Sequence, residues 1–178
     1  AKGEEIGQLG GIPIGVKDLE DAKGFVTTYG SALHVNDQPA EEDSVLVSRL
    51  RNAGCVVLGK TNTPEFGHKG KTDNVPFGHT KNPWNLNEGS SGSSAGSASA
   101  TAAGLCSFAI GTETLGSITS PSERCGTAGF RPTFGRVSRN GCMALCWSLD
   151  KVGPICRCVE DTGLVLSVIN GYDENDRF

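Results

Sequence analysis

The chain has 178 residues, with 20 acidic and 16 basic side chains, a formal charge of −4 and a pI near 5.4. That length supports one domain with a real core, and the acidic balance removes the electrostatic footprint of a nucleic-acid binder or a polybasic membrane binder. No apolar run approaches the roughly 20 residues of a membrane helix, and no charged-then-apolar leader is read at the start, so the expectation is a soluble, cytoplasmic protein.

The first residues, "AKGEEIGQLG", carry no Met and read as mid-domain sequence. A single domain over residues 1–178, incomplete at both ends, is therefore expected. "GIPIGVKD" (11–18) is apolar and β-branched and predicts a buried strand arriving at a Lys-Asp pair. "PAEEDSVLVSRLRNAG" (39–54) has Pro and acids first, Val45, Leu46 and Leu50 on one stripe, arginines late and Gly54 at the end, which predicts a helix. "CVVLGKT" (55–61) predicts a second buried strand, and strand–helix–strand order argues for an α/β layered fold. Residues 62–88 are rich in turn formers and predict ordered loop with short helical turns.

Further on, 97–105 is Ala-rich and predicts a helix stopped by Gly104, followed by a strand over 106–111. "PSERCG" (121–126) predicts a short helix with Pro in its first turn. "TFGRVSRNG" and "SLDKVGP" read as connecting turns and strands. Residues 159–171 predict a late helix with Val159, Leu166 and Ile169 among its apolar positions and Gly171 as its cap. Seven cysteines, an odd number, suit reduced thiols used as small hydrophobes. A zinc site from Cys142, Cys146, Cys156 and Cys158 is a poor match to the usual knuckle, because its last pair is spaced C-x-C.

The stretch most in need of an explanation is 89–99, where every residue is Gly, Ser or Ala. A flexible linker would join two units, but a helix pattern and a buried strand follow here without any break in composition. A phosphate-cradling loop needs a lysine beside its last glycine, and none occurs between Lys81 and Lys151. Gly92-Ser93-Ser94-Ala95-Gly96 fits a nucleophile elbow centred on Ser94. That machine needs a later histidine, whereas His34, His68 and His79 all come earlier. Ser148-Leu149-Asp150-Lys151 matches S-x-x-K without its companion motifs and reads as chance.

A base for a serine must then come from elsewhere, and a desolvated lysine can serve. Lys17 stands at the end of an apolar strand; the plainer alternative is that it reaches out to solvent and pairs with Asp18 or Glu20. A second serine segment, "GTETLGSITSP" (111–121), places Gly116 before Ser117 at a strand exit, where a sharp turn can gather several N–H groups.

In order along the chain, "GIPIGVKD", "TNTPEFG", "NPWN", "GSSGSSAGSASATAAGL", "FAIGTETLGSITSPSERCGTAGFRPTFGRVSRNG" and "SLDKVGPICRCVEDTGLVLSVINGYD" resemble the amidase signature family of serine hydrolases. The resemblance covers nearly the whole chain. It implies a mixed, twisted β-sheet covered by helices on both faces, and hydrolysis of carboxylic amides by a Ser-Ser-Lys triad through an acyl-enzyme. It implies Lys17 as the base, Ser93 as the serine behind a cis peptide bond, and Ser117 as nucleophile. The backbone N–H groups of Thr114, Leu115, Gly116 and Ser117 would form the oxyanion hole. No metal or organic cofactor is implied; the expected partner is a small-molecule amide, with neither nucleic acid nor membrane contacted directly.

Three positions depart from the family's "GTDTGGSIR": Glu113 replaces Asp, Leu115 replaces Gly and Thr119 replaces Arg. A leucine is strained wherever φ must be positive, and the extra methylene of Glu113 is expected to shift the hydrogen bonds that orient the turn. In the shelf, the family glycines at positions 95 and 96 are half retained, as Ala95 and Gly96. Family members are also longer than this chain. The alternatives to a stand-alone amidase are the glutaminase subunit of a tRNA-dependent amidotransferase, working with partner subunits, and an inactive or structural relative. A homo-oligomer is also compatible with the sequence.

Overall fold

Two apolar runs with a helix between them open the sheet. The first is buried, but the second lies at the sheet's edge with Val56 and Leu58 half exposed, so the buried strand expected over 55–61 is an edge strand instead. In the computed structural model, which describes residues 6–176, they form β1 (Pro13–Lys17) and β2 (Val56–Thr61), paired in parallel and connected through α1 (Val45–Asn52). Ala1–Glu5, on which part of the expected mid-domain start rests, lies outside the described residues, as do the last two.

Helix α1 begins at Val45, not at Pro39 as its sequence pattern predicts. Ser44 is the N-cap, its Oγ accepting the Val47 amide at 3.3 Å, as small hydroxyl residues favour at that position. The segment before it is held in another conformation. The Ala40 amide donates to the Phe25 carbonyl and its own carbonyl accepts from Gly24. Asp43 accepts from the Lys23 amide at 2.7 Å and the Arg51 Nε at 3.1 Å.

Residues 62–88 contain a single 3₁₀ turn, Glu65–Gly67, and otherwise fold into two small hairpins. These are β3 (Asp73–Asn74) with β4 (Gly78–His79), and β5 (Lys81–Asn82) with β6 (Asn85–Gly89). Three of these strands have two residues and the fourth, NLNEG, is largely exposed with no apolar alternation, so the sequence pattern shows only loop here. Next come α2 (Ala95–Ala102), β7 (Phe108–Glu113) and α3 (Thr119–Cys125). Helix α2 is shifted toward the N-terminus of its predicted span and ends before Gly104, whose φ of +71° breaks it. Helix α3 starts two residues before Pro121 and closes on Gly126 in the left-handed region.

The chain finishes with β8 (Ala128–Gly129), β9 (Lys151–Cys156) and α4 (Val159–Ile169). In α4 the buried positions are Thr162, Val165 and Ile169, whereas Val159 is 72% exposed. Its C-cap is Asn170, and Gly171 follows it.

The five-stranded sheet runs β2-β1-β7-β9-β8, with β1 parallel to both neighbours and β9 antiparallel to both of its own. It is the mixed sheet expected, with helices on both faces. On one face Ile14, Val16, Phe108, Ile110 and Val152 pack with Leu46, Val47 and Leu50 of α1 and with Val165 and Ile169 of α4. On the other a smaller cluster of Ala98, Ile118, Cys125 and Ile155 packs beneath α2 and α3. Period-two alternation of the strands divides the two sets. All seven cysteines are free; Cys55, Cys106, Cys125 and Cys156 are buried and Cys158 is exposed. No helix among the described residues is long and apolar enough to cross a membrane.

Candidate active site

Lys17 ends β1, and its side chain turns inward instead of out to solvent. It is fully buried. Its Nζ donates to Ser93 Oγ at 2.7 Å, Thr112 Oγ1 at 2.8 Å and Ser94 Oγ at 2.9 Å. All three partners are uncharged. The pairing with Asp18 or Glu20 that the strand end allows does not form. Asp18 instead binds Lys60 at 3.1 Å and accepts the Thr28 hydroxyl. Burial lowers the Lys17 amine to about 7, against the opposing pull of Cys142, Asp150, Glu20 and Glu113.

The Gly/Ser/Ala stretch forms a shelf packed against this amine. Its Gly92–Ser93 peptide bond is cis, as the resemblance implies. Gly96 shows why small residues are required. A Cβ there would lie 2.2 Å from the Asn62 nitrogen, while the Gly96 amide donates to the Asn62 carbonyl at 3.1 Å. The first turn of α2 therefore rests directly on the exit of β2. Ser94, the centre of the elbow motif, is fully buried. Its Oγ donates to the Thr112 carbonyl at 3.1 Å and accepts the Thr112 amide at 3.2 Å, so it ties the shelf to β7.

Ser117 lies in the turn between β7 and α3, which is where a strand–turn–helix arrangement does occur in this chain. The Ser94 amide donates to the Ser117 carbonyl at 3.1 Å and joins the turn to the shelf. Thr114, Leu115, Gly116 and Ser117 line one side of a cleft of about 350 Å³, with Gly92, His68, Lys69 and Leu145 among the other walls. Among the described residues the Ser117 hydroxyl makes no hydrogen bond. The structure thus brings Lys17 and Ser93 into contact and sets Ser117 beside Gly92 across the same cleft.

The strain foreseen at Leu115 is absent. The positive φ of the turn, +88°, falls on Gly116, and Leu115 projects outward with 86% exposure. Glu113 also fits: its Oε2 accepts the amides of Ile118 at 2.9 Å and Thr119 at 3.0 Å, and the Thr119 hydroxyl at 3.2 Å. Burial alone would push this carboxyl up, but the amides of Thr119, Ile118 and Gly116 outweigh it and hold it below its ordinary value. Arg131 stands 3.5 Å from its other oxygen.

Several residues at the site escape the sequence reading. Thr112 reads as one more residue of β7, and only the fold aims its hydroxyl at Lys17. Glu20 reads as an exposed partner for Lys17 but is fully buried, and neither carboxyl oxygen has a hydrogen-bond partner among the described residues. Burial pushes it up to about 7, with Ser44, Cys142 and Lys60 holding it back. Among the described residues no group of three or more His, Cys, Asp or Glu is placed to hold a metal.

The amidase family model matches residues 1–177, and the chain belongs to the amidase (amidase signature) family. The glutamyl-tRNA(Gln) amidotransferase A-subunit of Nostoc sp. is 48% identical over 99% of this chain, which spans 36% of that relative. The crystal structure of the Thermotoga maritima protein of the same name superposes with a TM-score of 0.94 at 40% identity, covering 97% of this chain and 38% of that one. Peptide amidase from Stenotrophomonas maltophilia gives 0.88 at 43% identity, covering 96% and 36%. The chain thus spans a little over a third of the length of these relatives.

Proposed function

We propose that the chain carries the acyl-transfer centre of an amidase, with Ser117 as nucleophile and Lys17 as base acting through Ser93. The observation that carries this reading is a fully buried amine whose hydrogen-bond partners are all neutral, 2.7 Å from Ser93 and joined through Ser94 to the Ser117 carbonyl. A lysine lowered to about 7 is partly neutral at neutral pH and can accept a proton.

Ser117 Oγ attacks the amide carbonyl carbon, its proton passes to Ser93 and the Ser93 proton passes to Lys17. The negative oxygen of the tetrahedral species is met by the backbone N–H groups of Thr114, Leu115, Gly116 and Ser117. Collapse breaks the C–N bond, and Lys17 returns its proton through Ser93 to the leaving nitrogen. Water then attacks the ester on Ser117, yields its proton to Lys17 through Ser93, and the acid leaves as Ser117 regains its proton. The substrate is a small carboxylic amide.

The 48% identity to an amidotransferase component favours a second reading, in which the same centre hydrolyses glutamine inside a complex with partner subunits. A turnover of glutamine that needs added partner subunits supports it; equal turnover of simple amides by the isolated chain argues against it.

The central test uses a fluorophosphonate probe and peptide mass spectrometry, with Lys17→Ala in parallel. An adduct on Ser117 that is lost in the lysine variant is expected. An adduct on Ser94, or none on a chain that melts cooperatively, overturns the reading, the latter in favour of an inactive relative.

A further inference from the structure

The cleft beside Ser117 has walls from distant parts of the chain. One is the turn Thr114–Ser117; another includes Leu145, from the segment that precedes β9. Asp150, the residue just before β9, is buried and tied to both. Its Oδ1 accepts the Thr114 hydroxyl at 2.5 Å, while its Oδ2 accepts the amides of Leu145 at 2.7 Å and Cys146 at 2.9 Å. The next residue completes the grip, since Lys151 Nζ donates to the Thr114 carbonyl at 2.9 Å.

This arrangement has a geometric consequence for the turn. The Thr114 carbonyl and the Leu115 N–H belong to one planar trans peptide and point in opposite directions. Holding the oxygen toward Lys151 therefore sets the direction of the Leu115 N–H. The two oxygens of Asp150 also serve different walls, so a single carboxylate fixes how far apart they stand. Each oxygen acts as an acceptor, which only the carboxylate provides on both sides at once.

We propose that Asp150, aided by Lys151, is a positioning residue that aims the Leu115 amide and sets the width of the cleft for the reaction at Ser117. The proposal rests on Ser117 being the nucleophile. Asp150 itself touches no reacting atom. Its effect is on the alignment of donors with the developing oxyanion, a property felt in the transition state more than in binding.

The variants follow from the bond pattern. Asp150→Asn keeps the size but turns one acceptor into a donor. With that NH2 toward Leu145 and Cys146 their amides lose their acceptor, and with it toward Thr114 the hydroxyl must reverse from donor to acceptor. Asp150→Ala removes both acceptors. Thr114→Val removes only the hydroxyl, and Thr114→Ser retains it. Labelling of Ser117 by a fluorophosphonate separates the maximal rate from the half-saturating probe concentration. In Asp150→Ala the maximal rate is expected to fall about 100-fold, as small misplacements of catalytic groups do. The half-saturating concentration should stay within about twofold. Thr114→Val should also slow labelling, Thr114→Ser should restore it, and the double variant should be no slower than Asp150→Ala alone. Wild-type rates in a cooperatively melting Asp150→Ala, or effects that multiply in the double variant, overturn the proposal. If Asp150→Ala fails to fold, Thr114→Val alone carries the same comparison. Amide exchange keeps this separate from the nucleophile reading, because it needs no chemistry at Ser117. Exchange should rise in both 114–117 and 143–147 in Asp150→Ala, and a rise confined to one of them counts against the proposal.

Discussion

The two faces of the sheet solve different problems with the same five strands. Beneath α1 and α4 the strands present Ile14, Val16, Phe108, Ile110 and Val152, and the interior is branched and aliphatic. Beneath α2 and α3 the same strands carry Gly15, Ala109 and Gly111, and the helix brought against them contributes Ser94, Ser97 and Thr101, all buried. Ser97 Oγ donates to the Ile110 carbonyl at 2.7 Å and shares a hydrogen bond with Thr61 Oγ1 at 2.6 Å. One face gains stability from apolar area removed from water. The other places backbone and hydroxyl groups within hydrogen-bond reach of each other, at the cost of a thinner apolar layer. Stability and chemistry should therefore respond to substitutions on different faces.

The sharpest way to separate them is Lys17→Met or Ser117→Ala, each expected to lower amide turnover by about 10⁴-fold. Melting temperature should change little in the serine variant; a loss of fold that tracks the loss of rate would erase the distinction between faces. Gly96→Ala should damage both properties, because its Cβ meets the Asn62 backbone at 2.2 Å. A well-folded, fully active Gly96→Ala, judged by melting and turnover, would show that the shelf has slack. Leu50→Ala, in the aliphatic core, should cost about 2–5 kcal/mol in denaturant unfolding while leaving turnover of the folded fraction unchanged.

pH acts on the polar face by a smaller amount. With the amine at about 7, turnover should rise about fivefold from pH 6 to pH 7 and flatten by pH 8, as the neutral base is populated. Stability carries its own signature. Glu20 is raised from 4.5 to about 7, so the stability it contributes below its unfolded value is lost as pH rises through the folded one. Lys17 is lowered from 10.5 to about 7, so its contribution is present above 10.5 and lost as pH falls to about 7. Together they place a minimum of stability near neutrality. Glu20→Gln should remove its acid side and Lys17→Met its alkaline side, as read by denaturant midpoints across pH. The smallest effect is expected at Leu115→Gly, about 0.5 kcal/mol or less, because that side chain is 86% exposed and its φ is not positive.

Much of this layout was legible in the sequence. Apolar runs containing Ile and Val marked β1 and β2, and the spacing between them allowed a crossover helix. The pairing of Lys17 with Ser93 came through family resemblance, because nothing in a local pattern joins residues 76 apart. The departures from expectation have local causes. Pro39 and the acids after it read as a helix start, but the cap hydrogen bond is supplied by Ser44 and the helix begins after it. Leu115 stands where one glycine of a pair is missing, yet the turn needs only one positive φ, and Gly116 supplies it. Glu20, Thr112 and Asp150 were unreadable for a common reason: their roles come from burial and from distant chain, which side-chain type alone does not encode.

The neutral surroundings of Lys17 have one last consequence. Burial lowers its amine, and its hydrogen-bond partners Ser93, Ser94 and Thr112 are uncharged, so Ser94 and Thr112 bear on that amine without a place in the proposed proton relay. An acid introduced by Thr112→Asp would give the amine a counter-charge and pin its proton in place. The fold could keep that ion pair, and the protein would persist as a well-formed but silent homologue. On the proposed reading, loss of the activity is thus one substitution away, on a strand whose backbone need not move.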